Sequence, residues 1–384
     1  MPDSSPAELR ARPAWVETAV AQGLALLSAF AFAGIVGALI ITAYGESPLK
    51  VYETIWRFGT SRPQDFARVL VGATPLIFSA LAVAVAFKAG MFNIGVEGQY
   101  IVGMLGATAA AVTLDSLPAV ILLPLVILAA MAAAMTWAVV PAILKVKTGA
   151  HEVVTTIMMN GVAVSLVAWG LLNPLKTSET GLVDLRSDRF VEGALVPDLP
   201  ASLGLGDQIP PSVHLSWLFP VALVACFLVW YFLFRTRLGY ESRAVGMAPG
   251  SAQAGGVAIG ATQIKVFLIS GALAGFVGLN HLLVDKGFFG QNYQAQLGFT
   301  GIAVAFLGRN HPIGIPLAAI LFGMLDRGES GIQILTDLPR EIIIILQGVL
   351  ILSVVVAYEL VRRSLSRRRQ QRLRAEEGAR EAHI

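Results

Sequence analysis

Uninterrupted apolar runs, many about 20 residues long, recur from one end of this chain to the other. A helix of that length matches the hydrocarbon thickness of a bilayer. The runs are continuous rather than alternating. That excludes a transmembrane barrel and leaves helices, which satisfy their own backbone hydrogen bonds in lipid. Composition agrees: 55% of the 384 residues are hydrophobic and 14% are charged, against about a quarter charged in soluble domains. The fold class is an all-α polytopic membrane protein. Cys226 is the single cysteine and lies inside an apolar run, so no intrachain disulfide forms.

Ten spans are expected, at about 24–44, 69–87, 100–114, 119–144, 152–172, 215–234, 263–284, 297–309, 313–325 and 341–361. The first ends in Ala43-Tyr44-Gly45, loosely like a cleavage site, but it exceeds a signal-peptide core and is read as a retained helix. An even number of spans puts both termini on one side. The tail, 362–384, is rich in arginine and belongs in the cytoplasm by the positive-inside rule. The N-terminal arm, 1–23, joins it there, as does the segment 235–262 within a permease body spanning 24–361. This orientation places 18 of the 28 lysines and arginines inside, although the longest polar loop, 173–214, lies outside. The block 69–172 then starts outside and the block 263–361 starts inside. Each has a short second member, at 100–114 and 297–309. Short, glycine-interrupted segments at matching places in two inverted halves point to a transport path near the midplane.

Several polar groups interrupt this apolar body. The stretch Arg235–Lys265 reads as a short helix, a break at Pro249-Gly250 and a second short helix at the membrane surface. Its small side chains allow another protein to approach closely; the plainer reading is an ordinary connecting loop. In Lys88–Tyr100, Asn93, Glu97 and Gln99 sit among Gly90, Gly95 and Gly98. A carboxylate there is either a loop group in water or a buried group bonded to helix-terminal amides. It either braces the fold or meets the solute. Glu152 and Asn160, eight residues apart, share a helical face, with interhelical hydrogen bonding as their simplest use. Phe288, Phe289, Gln291, Asn292, Tyr293 and Gln296 mark the outer end of the seventh span. They serve either as a stacking surface for a base or sugar or as an aromatic belt.

Enzymatic classes find no support. The five histidines are dispersed, no paired-cysteine or HExxH metal spacing occurs, and no P-loop is present. Ion-coupled transporters or channels would place ionisable residues inside the helices, and these helices hold almost none. The basic tail beside the last helix points to anionic lipid rather than nucleic acid.

Four stretches together resemble a known family: GATPLIFSALAVAVAFKAGMFNIGVEGQ (72–99), HEVVTTIMMN (151–160), ESRAVGMAPGSAQAGGV (241–257) and LGFTGIAVAFLGRNHPIGI (297–315). In order and spacing they are similar to permease subunits of ABC importers of the simple-sugar and nucleoside branch. The long outer loop with EVVTTIMMN is most like the larger permease of nucleoside systems. The resemblance implies the type II importer fold, a second permease chain, either a different chain or a copy of this one, two cytoplasmic ATPase subunits and an extracytoplasmic substrate-binding lipoprotein. It further implies a multi-pass location in the cell (inner) membrane. No cofactor is expected in this chain; ATP and magnesium would be bound by the ATPase. Glu241, Arg243, Gly246 and Pro249 fall on the family's ATPase-coupling segment, where Ala248 replaces a common asparagine. The path would be lined by Asn93, Glu97, Gln99, Asn160, Phe288 and Phe289, carrying a nucleoside, or alternatively a simple sugar or vitamin.

Overall fold

A computed structural model describes residues 14–178, 184–336, 338–339 and 341–381. Arg10 and Arg12 of the N-terminal arm and part of the 173–214 loop lie outside the described residues. The first helices are α1 (Ala14–Ala43), α2 (Pro48–Thr60), α3 (Pro63–Lys88), α4 (Val96–Thr113), α5 (Ala119–Thr148) and α6 (Glu152–Leu172). After the long loop, which contains the one-turn helix α7 (Leu199–Ser202), come α8 (Leu218–Arg235), α9 (Arg237–Met247) and α10 (Pro249–Ala254). The chain finishes with α11 (Ile259–Ala274), α12 (Leu297–Leu307), α13 (Gly314–Leu335) and α14 (Glu341–Glu381).

Ten of these, α1, α3–α6, α8 and α11–α14, coincide with the ten apolar segments. Their ends differ in informative ways. α4 begins at Val96 rather than residue 100, because Glu97, Gly98 and Gln99 are buried as its first turn. α11 stops at Ala274, and the chain resumes as one π turn over His281–Lys286. α13 runs ten residues beyond its apolar part, and α14 continues into the basic tail. At 11 residues α12 is only about 16 Å long, well short of the hydrocarbon core.

The contacts divide the chain into two units, Met1–Glu53 with Leu335–Ile384, and Thr54–Ile334. In the first, α1 packs on α14. Gly37 makes this fit possible: a Cβ there would lie 2.7 Å from both Leu346 Cδ2 and Tyr52 Oη. Tyr52 in turn donates to the Gly34 carbonyl at 2.6 Å.

In the second unit α3 is the central helix, packed by α8, α11 and α12. Ile77, Phe78, Leu81 and Phe267 are fully buried there, and Phe78 stacks on Phe276 at 4.8 Å. α5 buries one narrow stripe, Leu122, Val126, Ala130, Ala134, Ala138 and Ala142, at a spacing of four. Glycines of α4 and the α11 region lie on that stripe. A Cβ on Gly103 would come within 3.2 Å of both the Ala130 carbonyl and Gly275 Cα. Such backbone approach replaces hydrophobic burial as the source of helix association in lipid. The remaining faces of α5, with Val120, Ile121 and Leu128 exposed, suit lipid.

The described residues of the long loop are tied to the segment after α11 and to one another. Phe190 and Ser187 donate backbone bonds to Gly287 and Phe289, both at 2.8 Å. Asp188 gathers the Ser178 amide and the Thr177 hydroxyl, each at 2.8 Å, and these bonds hold its carboxyl below the usual range.

Candidate functional site

Two polar segments enter the second unit from opposite ends. The first, 89–95, leaves α3 where α9 lies against Lys88. The second, 287–296, begins beyond the far end of α11. The first leads into α4, which at 18 residues is longer than the short segment expected there, and the second into the 11-residue α12, so the N-termini of α4 and α12 meet inside the bundle.

Glu97 stands at that meeting. Its Oε1 accepts from the Gln296 amide at 2.7 Å and its Oε2 from the Gly298 amide at 2.8 Å. The Tyr100 hydroxyl lies 3.0 Å from Oε1 and 2.9 Å from the Gln294 carbonyl. Both carboxyl oxygens face N–H donors, so the group serves as a carboxylate at the positive end of α12. Only glycine fits opposite it, since a Cβ on Gly298 would lie 2.7 Å from Glu97 Cα. One turn on, Gly301 rests directly on Ser79, whose hydroxyl donates to the Leu297 carbonyl at 2.9 Å.

Asn93 fastens the other segment. Gly90 takes φ +71°, a value glycine adopts without strain, and turns the chain inward. Asn93 and Gln99 then exchange amide bonds at 3.0 and 3.1 Å, while Asn93 Oδ1 also accepts from Gly95 N. Asn93 Nδ2 reaches Ser270 Oγ on α11 at 2.9 Å, and Ser270 donates to the Ala82 carbonyl on α3 at 2.6 Å. One buried network thus joins α3, α4 and α11.

α6 presents Glu152, Thr156 and Asn160 on its buried face. Asn160 accepts from Gly98 N at 2.8 Å and donates to the Ile94 carbonyl at 3.1 Å. Glu152 pairs with Lys145 of α5 at 2.8 Å. Asn160→Ala leaves a buried amide and carbonyl unpaired, at about 1–3 kcal/mol each. Its melting temperature in detergent should fall clearly below that of wild type; an unchanged melt would show that these bonds carry no net stability.

At the same end of α3 from which the Asn93 segment leaves, the stretch after α8 forms two short helices across a break, α9 and α10. Thr236 caps α9 by accepting from Gly239 N at 3.1 Å. Arg243 lies 5.0 Å over the Phe234 ring, and Glu241 pairs with Arg237 at 2.7 Å. Pro249 opens α10 at the first helical position. Gly246 abuts the Lys88 carbonyl, and a Cβ there would lie 2.9 Å from Gly90 N. α9 therefore rests backbone to backbone on the start of the segment that carries Asn93.

Phe288 and Phe289 part company. Phe289 is buried, 5.9 Å from the Tyr293 ring, and its amide is held by Ser187 Oγ at 3.0 Å. Phe288 is half-buried beneath the guanidinium groups of Arg186 at 4.9 Å and Arg189 at 5.5 Å. Sequence reasoning missed Tyr100, Ser270, Ser79 and Ser187. Tyr100 lies three residues after Glu97, hence on its face, and Ser270 is a lone polar residue in an apolar run; both signals were readable. Among the described residues no group of three or more His, Cys, Asp or Glu is placed to hold a metal ion.

Polar side chains concentrated on a seam between two buried helices, inside an otherwise apolar helical body, define the class: a multi-pass membrane permease. The sequence pattern of the family described as branched-chain amino acid transport system permease component matches residues 66–355, and the chain belongs to that family. The glucose ABC transporter permease of Haloferax volcanii is 34% identical, covering 91% of this chain and 90% of its own. The guanosine ABC transporter permease of Bacillus subtilis is 33% identical over 84% and 90%. A nucleoside ABC transporter permease of Lactococcus lactis is 29% identical over 86% and 90%.

Proposed function

We propose that this chain is a permease subunit of an ATP-driven importer and forms part of the path for a nucleoside or a simple sugar. One observation carries the reading: α9 sits on the backbone of Lys88–Gly90, the start of the segment holding Asn93, Gln99 and Glu97. Movement of α9 would displace that segment directly, and through Glu97 the N-terminus of α12. Glu241, Arg243, Gly246 and Pro249 would form the seat for a cytoplasmic ATPase, which binds ATP and magnesium. The termini face the cytoplasm, a second permease chain completes the path, and a binding protein delivers solute from outside the inner membrane. Asn93, Glu97, Gln99 and Asn160 would flank or brace the path. The names of the relatives support a nucleoside or sugar as cargo.

Affinity purification from native membranes should bring down an ATPase subunit. Nucleoside or sugar uptake into vesicles should stop when that subunit's Walker lysine is replaced. Uptake that survives without nucleotide hydrolysis, driven instead by an ion gradient, would refute this reading.

A further inference from the structure

A polar cavity of about 340 Å³ opens between the loop strand at 184–186 and the segment after α11, at the end of the second unit remote from α9. That volume falls at the small end of small-molecule pockets, roughly 300–1,000 Å³. Its walls are fixed by backbone. Arg186 bridges to Gly290, and Gln291 donates to the Leu185 carbonyl at 3.1 Å. The π turn brings His281, Asp285 and Lys286 together, with Asp285 Oδ2 3.3 Å from His281 Nδ1 and 3.2 Å from Lys286 Nζ. Single π turns concentrate at functional sites.

The lining chemistry selects a ligand class. Of the two cations on the wall, Lys286 is already paired with Asp285 behind it at 3.2 Å, and Arg186 shares the wall with the Asp184 carboxylate, so a phosphate or other anion gains little from entering. Asp184, Arg186, Gln291 and Asn292 offer planar acceptors and donors side by side, which suits vicinal hydroxyls that both give and accept a hydrogen bond. The aromatic ring on this wall, Phe288, already lies under the guanidinium groups of Arg186 and Arg189, which compete with a base for it, and Phe289 is buried. We infer that this cavity is an entry site for the polyhydroxylated part of a neutral solute, either a free monosaccharide or the ribose of a nucleoside. The inference rests on the import reading, under which this end faces outward and receives solute before it reaches the seam at Glu97. Weak binding is sufficient, since the solute must also leave.

The test uses the full-length chain in nanodiscs, without ATPase or binding protein, and saturation-transfer NMR with D-glucose, D-ribose, adenosine and adenine. Glucose or ribose binding supports a free-sugar site; adenosine binding through its ribose protons supports a nucleoside site. In either case adenine alone should not bind. Asn292→Ala and Gln291→Ala, both at exposed positions, should weaken binding by about tenfold while the melting temperature stays unchanged. Three results would overturn the inference: no binding of any hydroxylated probe, adenine binding as well as adenosine, or affinity indifferent to both substitutions. If ATP-dependent uptake persists while one of these occurs, the import reading stands and the entry site falls.

Discussion

Gly246→Val is expected to reduce ATP-dependent uptake by about one to two orders of magnitude, the scale of a 1–3 kcal/mol overpacking penalty, in a chain that still inserts and folds. The reason is geometric. A Cβ at this position collides with the Lys88 carbonyl and lies 2.9 Å from Gly90 N. Both obstacles are backbone, so neither can rotate away, and α9 must lift off the segment that leads to Asn93. Gly90 cannot absorb the change, because its φ of +71° already commits it to a turn, and a Cβ on it would lie 3.2 Å from Gly246 Cα. Alanine at 246 should produce the same effect in smaller measure. Gly161→Ala is the matched control: it lies mid-helix in α6 with no atom within 4 Å of its added Cβ. Measuring uptake, ATP hydrolysis and thermal melting on one preparation separates the outcomes. Hydrolysis that continues without uptake, in a protein that still melts cooperatively though at a lower temperature, is the result expected. Wild-type uptake by Gly246→Val would show that contact between α9 and Lys88–Gly90 transmits nothing.

How much of this was legible beforehand depends on the range of the interaction concerned. The apolar runs fixed ten helices, since burial in lipid depends only on composition over about 20 residues. The helix–break–helix form of 237–254 was also readable, because proline and glycine act locally, although the break falls at Ala248, one residue before the expected Pro249-Gly250, since proline suits the first position of the second helix. Helix ends were less so. α13 continues through Asp326–Ser330 because Gly328 and Gly331 lie flat against Ile55 and Phe58, where an added Cβ would come within 2.6 Å of each side chain. No local pattern announces that fit. The site shows the same division. Glycines around Glu97 signalled a turn, and the spacing of Glu152 and Asn160 gave a shared face. Yet the groups that receive Glu97 are 199 and 201 residues away in sequence, and the Ser270 link to Asn93 spans 177. Pairings of that separation leave no periodicity in a single sequence.

Glu97→Ala should destabilise the protein more than any other single change at the seam. It strips partners from two amides at the start of α12, the partly buried one of Gln296 and the buried one of Gly298, and the latter alone costs about 1–3 kcal/mol when orphaned, in a fold whose whole margin is of order 5–15 kcal/mol. It also removes the negative charge from the positive end of α12, where such a charge contributes about 0.3–2 kcal/mol more. Hydrogen exchange at Gln296 and Gly298 should accelerate sharply, and the melting temperature should drop. Glu97→Gln is the sharper experiment. Its carbonyl oxygen can serve one amide, but its NH2 then faces the other N–H, donor against donor. Glutamine should therefore recover only part of the stability, and a melt equal to wild type would disprove the carboxylate anchor. Uptake divides bracing from solute contact. If Glu97 only holds α12 in place, uptake per folded molecule in Glu97→Gln follows stability and recovers at lower temperature. If it also meets the solute, KM stays raised at temperatures where both proteins are fully folded.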